Sequence, residues 1–227
     1  MNALLQQLQD KQLIWLANQT EAPYEHCQST GFPALDQLLG GGWPQHNVVE
    51  LQSHGACAEL QLISKALNHS GSELLQVWIN PPAHLCAEYL LQQKRPLHQL
   101  IQLNTHRAAD ALWAAELCLK SGCCIDVLLW QNSLQLTQLK RLQLAAAQGQ
   151  SQLYLFRPLQ TGQQLLPWTL SLQLMPASTG LQIRILKRKG GWQQQDLLLP
   201  WAELYPQFIK PELQQRHSSY PPLSRVS

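Results

Sequence analysis

The chain has 227 residues, a formal net charge of +2, and 13% charged residues against 45% hydrophobic ones. That length suits one large domain with tails, and so small a net charge excludes a nucleic-acid binder working on electrostatics alone. No apolar run reaches the roughly 18 residues of a membrane helix, and the N-terminal stretch has no basic region leading into a hydrophobic core, so a cytoplasmic protein with no membrane partner is expected.

Residues 2–19 place Leu4, Leu5, Leu8, Leu13, Trp15 and Leu16 among polar residues, the spacing of an amphipathic helix. With the linker through Ala22-Pro23, this makes an N-terminal unit over 1–25, and Leu4, Leu5 and Leu8 are candidates for partner contact. A short capped helix over Ser29–Leu39 is predicted next. Gly40-Gly41-Gly42-Trp43-Pro44 stops it with a breaker and a turn.

The stretch from Val48 to Leu60 organises the rest. An apolar strand, a loop of small residues and a helix start form the frame of a phosphate-binding loop, Gly-x-x-x-x-Gly-Lys-Ser/Thr. On that frame Ser53 and Ala58 replace the glycines, Glu59 replaces the lysine, and Leu60 replaces the metal-holding hydroxyl. A carboxylate at the lysine position repels a triphosphate, and backbone N–H groups turn inward less readily without glycine. The loop therefore reads as a degenerate P-loop with no bound cofactor and no catalytic residue, in a protein that is not an enzyme.

Beyond it the pattern alternates as in an α/β fold. Strands are predicted at 74–79, 100–103, 125–130 and 152–156, with helices over 83–93, 106–121 and 134–148. The strand at 125–130 is apolar throughout, which suits a sheet covered on both faces. It ends in Trp130-Gln131-Asn132, where a RecA-like ATPase would carry a metal-binding aspartate, while Asp126 lies too early to reach a ligand at the carboxyl edge. Residues 169–174 and 181–187 alternate with period two around a turn at 175–180, a β-hairpin over 169–192. The chain beyond Pro200, to Ser227, reads as a flexible tail.

Two resemblances follow. Thr30-Gly31-Phe32-x-x-Leu35-Asp36-x-x-Leu39, then Gly40-Gly41-Gly42-Trp43-Pro44, Glu50-Leu51 and Glu59-Leu60-x-Leu62, resemble the ImuA family. The cluster Arg184, Lys187, Arg188, Lys189 resembles the end of the same pattern. The resemblance implies a three-layer RecA-like domain over 26–200 with a mostly parallel sheet. It implies a non-catalytic accessory role in SOS-induced translesion DNA synthesis, beside an ImuB-like polymerase homologue, an error-prone C-family DNA polymerase and RecA. The strand ends at Trp130 and at Phe156-Arg157-Pro158 also resemble SulA-like inhibitors of cell division. That second resemblance implies FtsZ as partner.

Other signals have plainer readings. The hairpin cations are either a solvated hairpin tip or a weak contact with DNA phosphate or an acidic partner. Gln152-Leu153-Tyr154-Leu155-Phe156 matches a sliding-clamp peptide but falls where the fold needs a central strand. Trp15, Trp43, Trp78, Trp113 and Trp130 read as core or interface residues. Cys27, Cys57, Cys86, Cys118, Cys123 and Cys124 lack zinc spacing and read mostly as small buried hydrophobes, so no metal is expected. The eight histidines are scattered and receive no role.

Overall fold

In the computed structural model the described residues are 26–55, 58–69, 71–92, 95–160, 166–189 and 196–208. The expected helix over 2–19, with Leu4, Leu5, Leu8 and Trp15, lies outside them.

Strands that are apolar on both faces need helices on both sides, and the chain supplies them in alternation. In order the elements are β1 (Cys27–Gln28), α1 (Pro33–Leu39), β2 (Trp43–Pro44), β3 (Val48–Ser53), α2 (Glu59–Ile63), β4 (Leu75–Ile79), α3 (Ala87–Gln92) and β5 (Leu100–Leu103). There follow α4 (Ala108–Lys120), β6 (Cys124–Trp130), α5 (Leu136–Gly149), β7 (Gln152–Pro158), β8 (Leu170–Pro176), β9 (Gly180–Arg188), β10 (Asp196–Pro200) and α6 (Trp201–Leu204). One sheet of eight strands runs in the order β10-β9-β8-β3-β7-β6-β4-β5. From β8 to β5 the neighbours are parallel, while β9 is antiparallel to both β8 and β10. This is a mixed α/β fold with a largely parallel sheet between helical layers.

Period-two alternation sorts the side chains into two cores. Val49, Leu51, Trp78, Leu128, Tyr154 and Phe156 share one core with Leu172 and Ile183 of the hairpin, and Leu35, Leu39, Leu62 and Ile63 of α1 and α2 pack there too. Val48, Val77, Ile79, Val127, Leu129, Leu153 and Leu155 face α4 and α5, which contribute Ala111, Ala115, Leu119, Leu139, Leu142 and Ala146. The strand Gln152–Pro158 pairs with β3 on one side and β6 on the other, and residues 152–157 are buried. A clamp-docking role for it is excluded, because its backbone is already spent in the sheet.

The Thr-Gly-Phe stretch is an entry loop fixed by Asp36. The Thr30 N–H donates to Asp36 Oδ1 at 2.7 Å and the Ser29 hydroxyl to Oδ2 at 2.6 Å. The helix proper then starts at Pro33, four residues later than Ser29, and Gly40 ends it at φ 72. Gly42, at φ +119, has no room for a Cβ, which would meet the Gln28 carbonyl oxygen at 2.2 Å. There β1 pairs antiparallel with β2, Gln28 opposite Trp43, and Trp43 sits edge-on against Tyr154.

Two expectations need correction. The body continues past Pro200: α6 buries Leu204 completely, the Gln61 side-chain amide donates to the Leu204 carbonyl at 2.6 Å, and Trp201 donates to the Ala177 carbonyl at 3.0 Å. A four-residue helix after a proline leaves no periodicity to read. The cysteines also depart from a uniformly buried set, since Cys86 and Cys123 are exposed and, among the described cysteines, Cys124 alone is buried.

Candidate functional site: an aromatic groove at the carboxyl edge of the sheet

Parallel strands deliver their last residues to one edge, where open α/β sheets take up their ligands. Here β3 ends at Ser53, β6 at Trp130 and β7 at Pro158, while Pro82 follows β4. With Leu60 from α2 these residues line a groove of about 640 Å³. Trp130 forms its floor, stacked on Phe156 with ring centroids 4.4 Å apart and tilted against Trp78 at 5.8 Å. A smaller apolar recess of about 170 Å³ continues the groove past Trp78, Leu85 and Leu90, and the two share Leu60, Pro82 and Trp130. Polar groups stand at the margin: His54, Glu59, Asn132 and Arg157. An apolar aromatic floor with a polar rim is the layout of a protein-docking site or an apolar ligand pocket.

The loop that resembles a degenerate P-loop forms one wall. Its strand–loop–helix frame is present, with Ala58 in the left-handed region at φ 67 before α2. The loop is occupied by its own side chains. The Ser53 hydroxyl donates to the Glu59 carboxylate and accepts the Gly55 N–H at 3.0 Å. Leu60 turns outward, 39% exposed, into the groove. Chemically, this wall offers a carboxylate and an aliphatic side chain where a phosphate cradle would offer an ammonium and a hydroxyl.

Arg157 holds the far wall in place. Its Nη1 is 2.7 Å from Glu50 Oε1, its other nitrogens donate to the Asn132 carbonyl at 3.3–3.4 Å, and it lies over the Trp168 ring at 5.9 Å. Glu50 also accepts from Ser171 Oγ at 2.5 Å and from Gln52 Nε2 at 3.0 Å. Nothing in the residue spacing pairs positions 50 and 157; only the β3–β7 contact does, so sequence reasoning missed this network.

Sequence reasoning placed Asp126 away from the carboxyl edge but did not find that it is buried or that His69 and Gln76 are its partners. Asp126 Oδ2 accepts from Gln76 at 3.1 Å and lies 2.8 Å from His69 Nε2. Burial pushes its carboxyl above the ordinary 3.8, with the His69 hydrogen bond pulling the other way. Desolvation, with Asp126 adding to it, also holds the Tyr154 phenol well above its usual value. His69 and Gln76 open onto a cavity of about 440 Å³ that Arg95 and Gln99 also line. The cavity shares Leu67 and Arg95 with the apolar recess that continues the groove, while Asp126 itself lies early in β6. Among the described residues no group of three or more His, Cys, Asp or Glu side chains could hold a metal ion.

The four cations fall apart as a cluster. The turn joining β8 to β9 is at 177–179, so Arg184 sits in the middle of β9 and Lys187, Arg188 and Lys189 at its other end, not at that hairpin's tip. Arg184 is paired with Asp196 at 2.7 Å, and the Arg188 guanidinium donates to the Leu38 carbonyl at 3.1 Å. Of the tryptophans, Trp43 and Trp78 are buried, Trp130 floors the groove, and Trp113 is 65% exposed on α4.

No protein-family model matches the chain. Among curated proteins it is 31% identical over 99 residues to the cell division inhibitor SulA of Photorhabdus laumondii, a stretch covering 43% of this chain and 56% of that protein. The chain thus spans little more than half the length of this relative. Among solved structures, the crystal structure of SulA from Pseudomonas aeruginosa aligns at TM-score 0.41 and 24% identity, over 48% of this chain and 97% of that one. The expectation of a translesion-synthesis accessory is overturned here, because the likeness is to a cell division inhibitor. The Thr-Gly-Phe and Gly-Gly-Gly-Trp-Pro motifs serve an entry loop and a tight turn in this fold. The ImuB-like, polymerase and RecA partners derive from that reading alone. Of the described helices, none is long and apolar enough to cross a membrane. What the chain is similar to in sequence is SulA.

Proposed function

We propose that this protein inhibits bacterial cell division by binding a division protein, with FtsZ as the partner the SulA-like resemblance implies. It works in the cytoplasm, as part of the response to DNA damage, and without catalysis. The observation that carries the reading is the 31% identity to SulA over 99 residues. The groove supports it: Trp130, Phe156, Leu60 and Pro82 offer an aromatic, apolar surface of the kind that anchors protein partners. The non-catalytic part rests on Ser53 and Glu59, which close the P-loop-like turn on each other, and on Leu60 in place of a metal-holding hydroxyl. A RecA-like ancestry of the domain is supported by the same strand–loop–helix frame at the edge of a mostly parallel sheet.

Induced expression in dividing bacterial cells tests the proposal. Cells making the protein should grow into undivided filaments, and cells making Trp130→Ala at the same soluble level should divide. Normal division in the presence of abundant soluble wild-type protein overturns the reading.

A further inference from the structure

The apolar recess of about 170 Å³ that continues the groove has a cation built into its wall. Arg95 lines it and is only 8% exposed. Two contacts hold it there: its backbone N–H donates to the Leu90 carbonyl at 3.0 Å, and its Nη2 donates to the Ser64 carbonyl at 3.1 Å. Leu90 and Ser64 line the same recess. So does Trp78, buried at 3% exposure, whose indole N–H has no acceptor among the described residues. Leu60, Leu67, Leu85 and Trp130 complete the apolar walls. A guanidinium stays charged at any working pH, and a charge set among apolar groups is stabilised by an opposite charge beside it.

We propose that the recess binds a small apolar monocarboxylate, its ring or chain against Trp78 and Trp130 and its carboxylate on the Arg95 guanidinium. The planar fork of a guanidinium matches a carboxylate, and it can take one while keeping the Ser64 carbonyl. The Trp78 indole N–H is the second donor. Size limits the apolar part, since a dry cavity of about 150 Å³ holds one benzene ring. One ring with a short acid arm therefore suits the recess. A single buried cation balances one negative charge better than the two of a phosphate ester.

The ligand enters from the groove, which shares Leu60, Pro82 and Trp130 with the recess. Two acids stand near this path. Glu88 accepts from Cys86 Sγ at 3.3 Å, and Cys86 lines the recess, but both residues are exposed and water screens that charge. Asp126 lies on the side of the polar cavity that Arg95 also lines, where it is engaged by His69 at 2.8 Å and Gln76 at 3.1 Å. The carboxylate of the ligand meets Arg95 from the other, apolar side. Binding here does not depend on a division partner, so the purified full chain is enough to test it.

The ¹⁵N-labelled chain is titrated with 3-phenylpropanoate and followed by NMR at its eight indole N–H signals. Trp78→Phe identifies the Trp78 signal by its disappearance. Parallel titrations use 3-phenylpropan-1-ol, which keeps the ring without the charge, and propanoate, which keeps the charge without the ring. The Trp78 signal should move saturably with the phenyl acid, at least about 10-fold more weakly with the alcohol, and not saturably with propanoate. Arg95→Met should bring the affinity for the acid down to that for the alcohol and leave the alcohol unchanged. A Trp78 signal that the acid does not move, an alcohol that binds as tightly as the acid, or a folded Arg95→Met that keeps full affinity for the acid overturns the proposal. Should Arg95→Met fail to fold, the contrast between acid and alcohol in wild type still decides it.

Discussion

Arg157 Nη1 meets Glu50 Oε1 at 2.7 Å with side chains 3% and 0% exposed, so a full ion pair spans β7 and β3 inside the cover of α5. Removing one partner of such a pair leaves the other charge buried without it, which costs about 3–5 kcal/mol, whereas replacing both with apolar residues is often nearly neutral. Glu50→Ala should therefore lower stability in urea unfolding by about 3–5 kcal/mol, and the double variant Glu50→Leu/Arg157→Met by much less. A Glu50→Ala loss under ~1 kcal/mol would mean that water reaches the pair.

Leu204, buried to 0% exposure by a helix of four residues, tests where the body ends. Leu204→Ala should cost about 2–5 kcal/mol, the range for a buried leucine that leaves a cavity. Thermal or urea unfolding reads it. A neutral result would place α6 outside the cooperative unit.

Asp126 makes stability depend on pH in an unusual direction. Its folded-state carboxyl titrates above the ordinary 3.8, chiefly through burial. Between the unfolded and folded values the native state holds the proton and the unfolded chain does not, so stability falls as pH rises through that window. The carboxylates of Asp110 and Asp196, lowered by Arg107 and Arg184, act in the opposite sense. The difference between wild type and Asp126→Asn isolates the Asp126 contribution. Relative to the variant, wild type should gain stability as pH falls toward 3.8 and lose it as pH rises. A flat difference would contradict the buried, raised carboxyl.

At Gly42 both backbone and space demand glycine, with φ +119 and a Cβ 2.2 Å from the Gln28 carbonyl oxygen. Gly42→Ala should cost at least about 1–3 kcal/mol from strain alone. Gly55→Ala has a positive φ of +87 but meets nothing within 4 Å, and it should cost less. Equal losses would contradict the close approach of Gly42 to the Gln28 carbonyl in the β1–β2 pair.

Much of the fold was legible because period and apolar content survive in single strands. The strands over 75–79, 100–103, 124–130 and 152–158 match their sequence readings closely, and so does the hairpin of β8 and β9. The site was legible in pieces. Ser53, Ala58, Glu59 and Leu60 stood out against a known loop pattern, and Leu60 does line the groove. Trp130 was noticed as a strand end, but its stacking on Phe156 needs β6 and β7 side by side. The pairs Glu50–Arg157 and His69–Asp126 link positions 107 and 57 residues apart, distances over which spacing carries no signal. The basic run is a related case: the sequence gives four cations close together, and only the strand register shows that Arg184 has Asp196 opposite it.

The carboxyl-edge groove is the surface we propose for the division protein. Titrating labelled FtsZ with the purified full chain, beside Trp130→Ala, tests it most directly, with circular dichroism confirming that the variant is folded. Wild type should bind saturably, and removing Trp130 should weaken binding roughly 30-fold or more, the effect of an interface anchor worth about 2 kcal/mol. Binding that is absent in wild type, or unchanged in a folded Trp130→Ala, would contradict it.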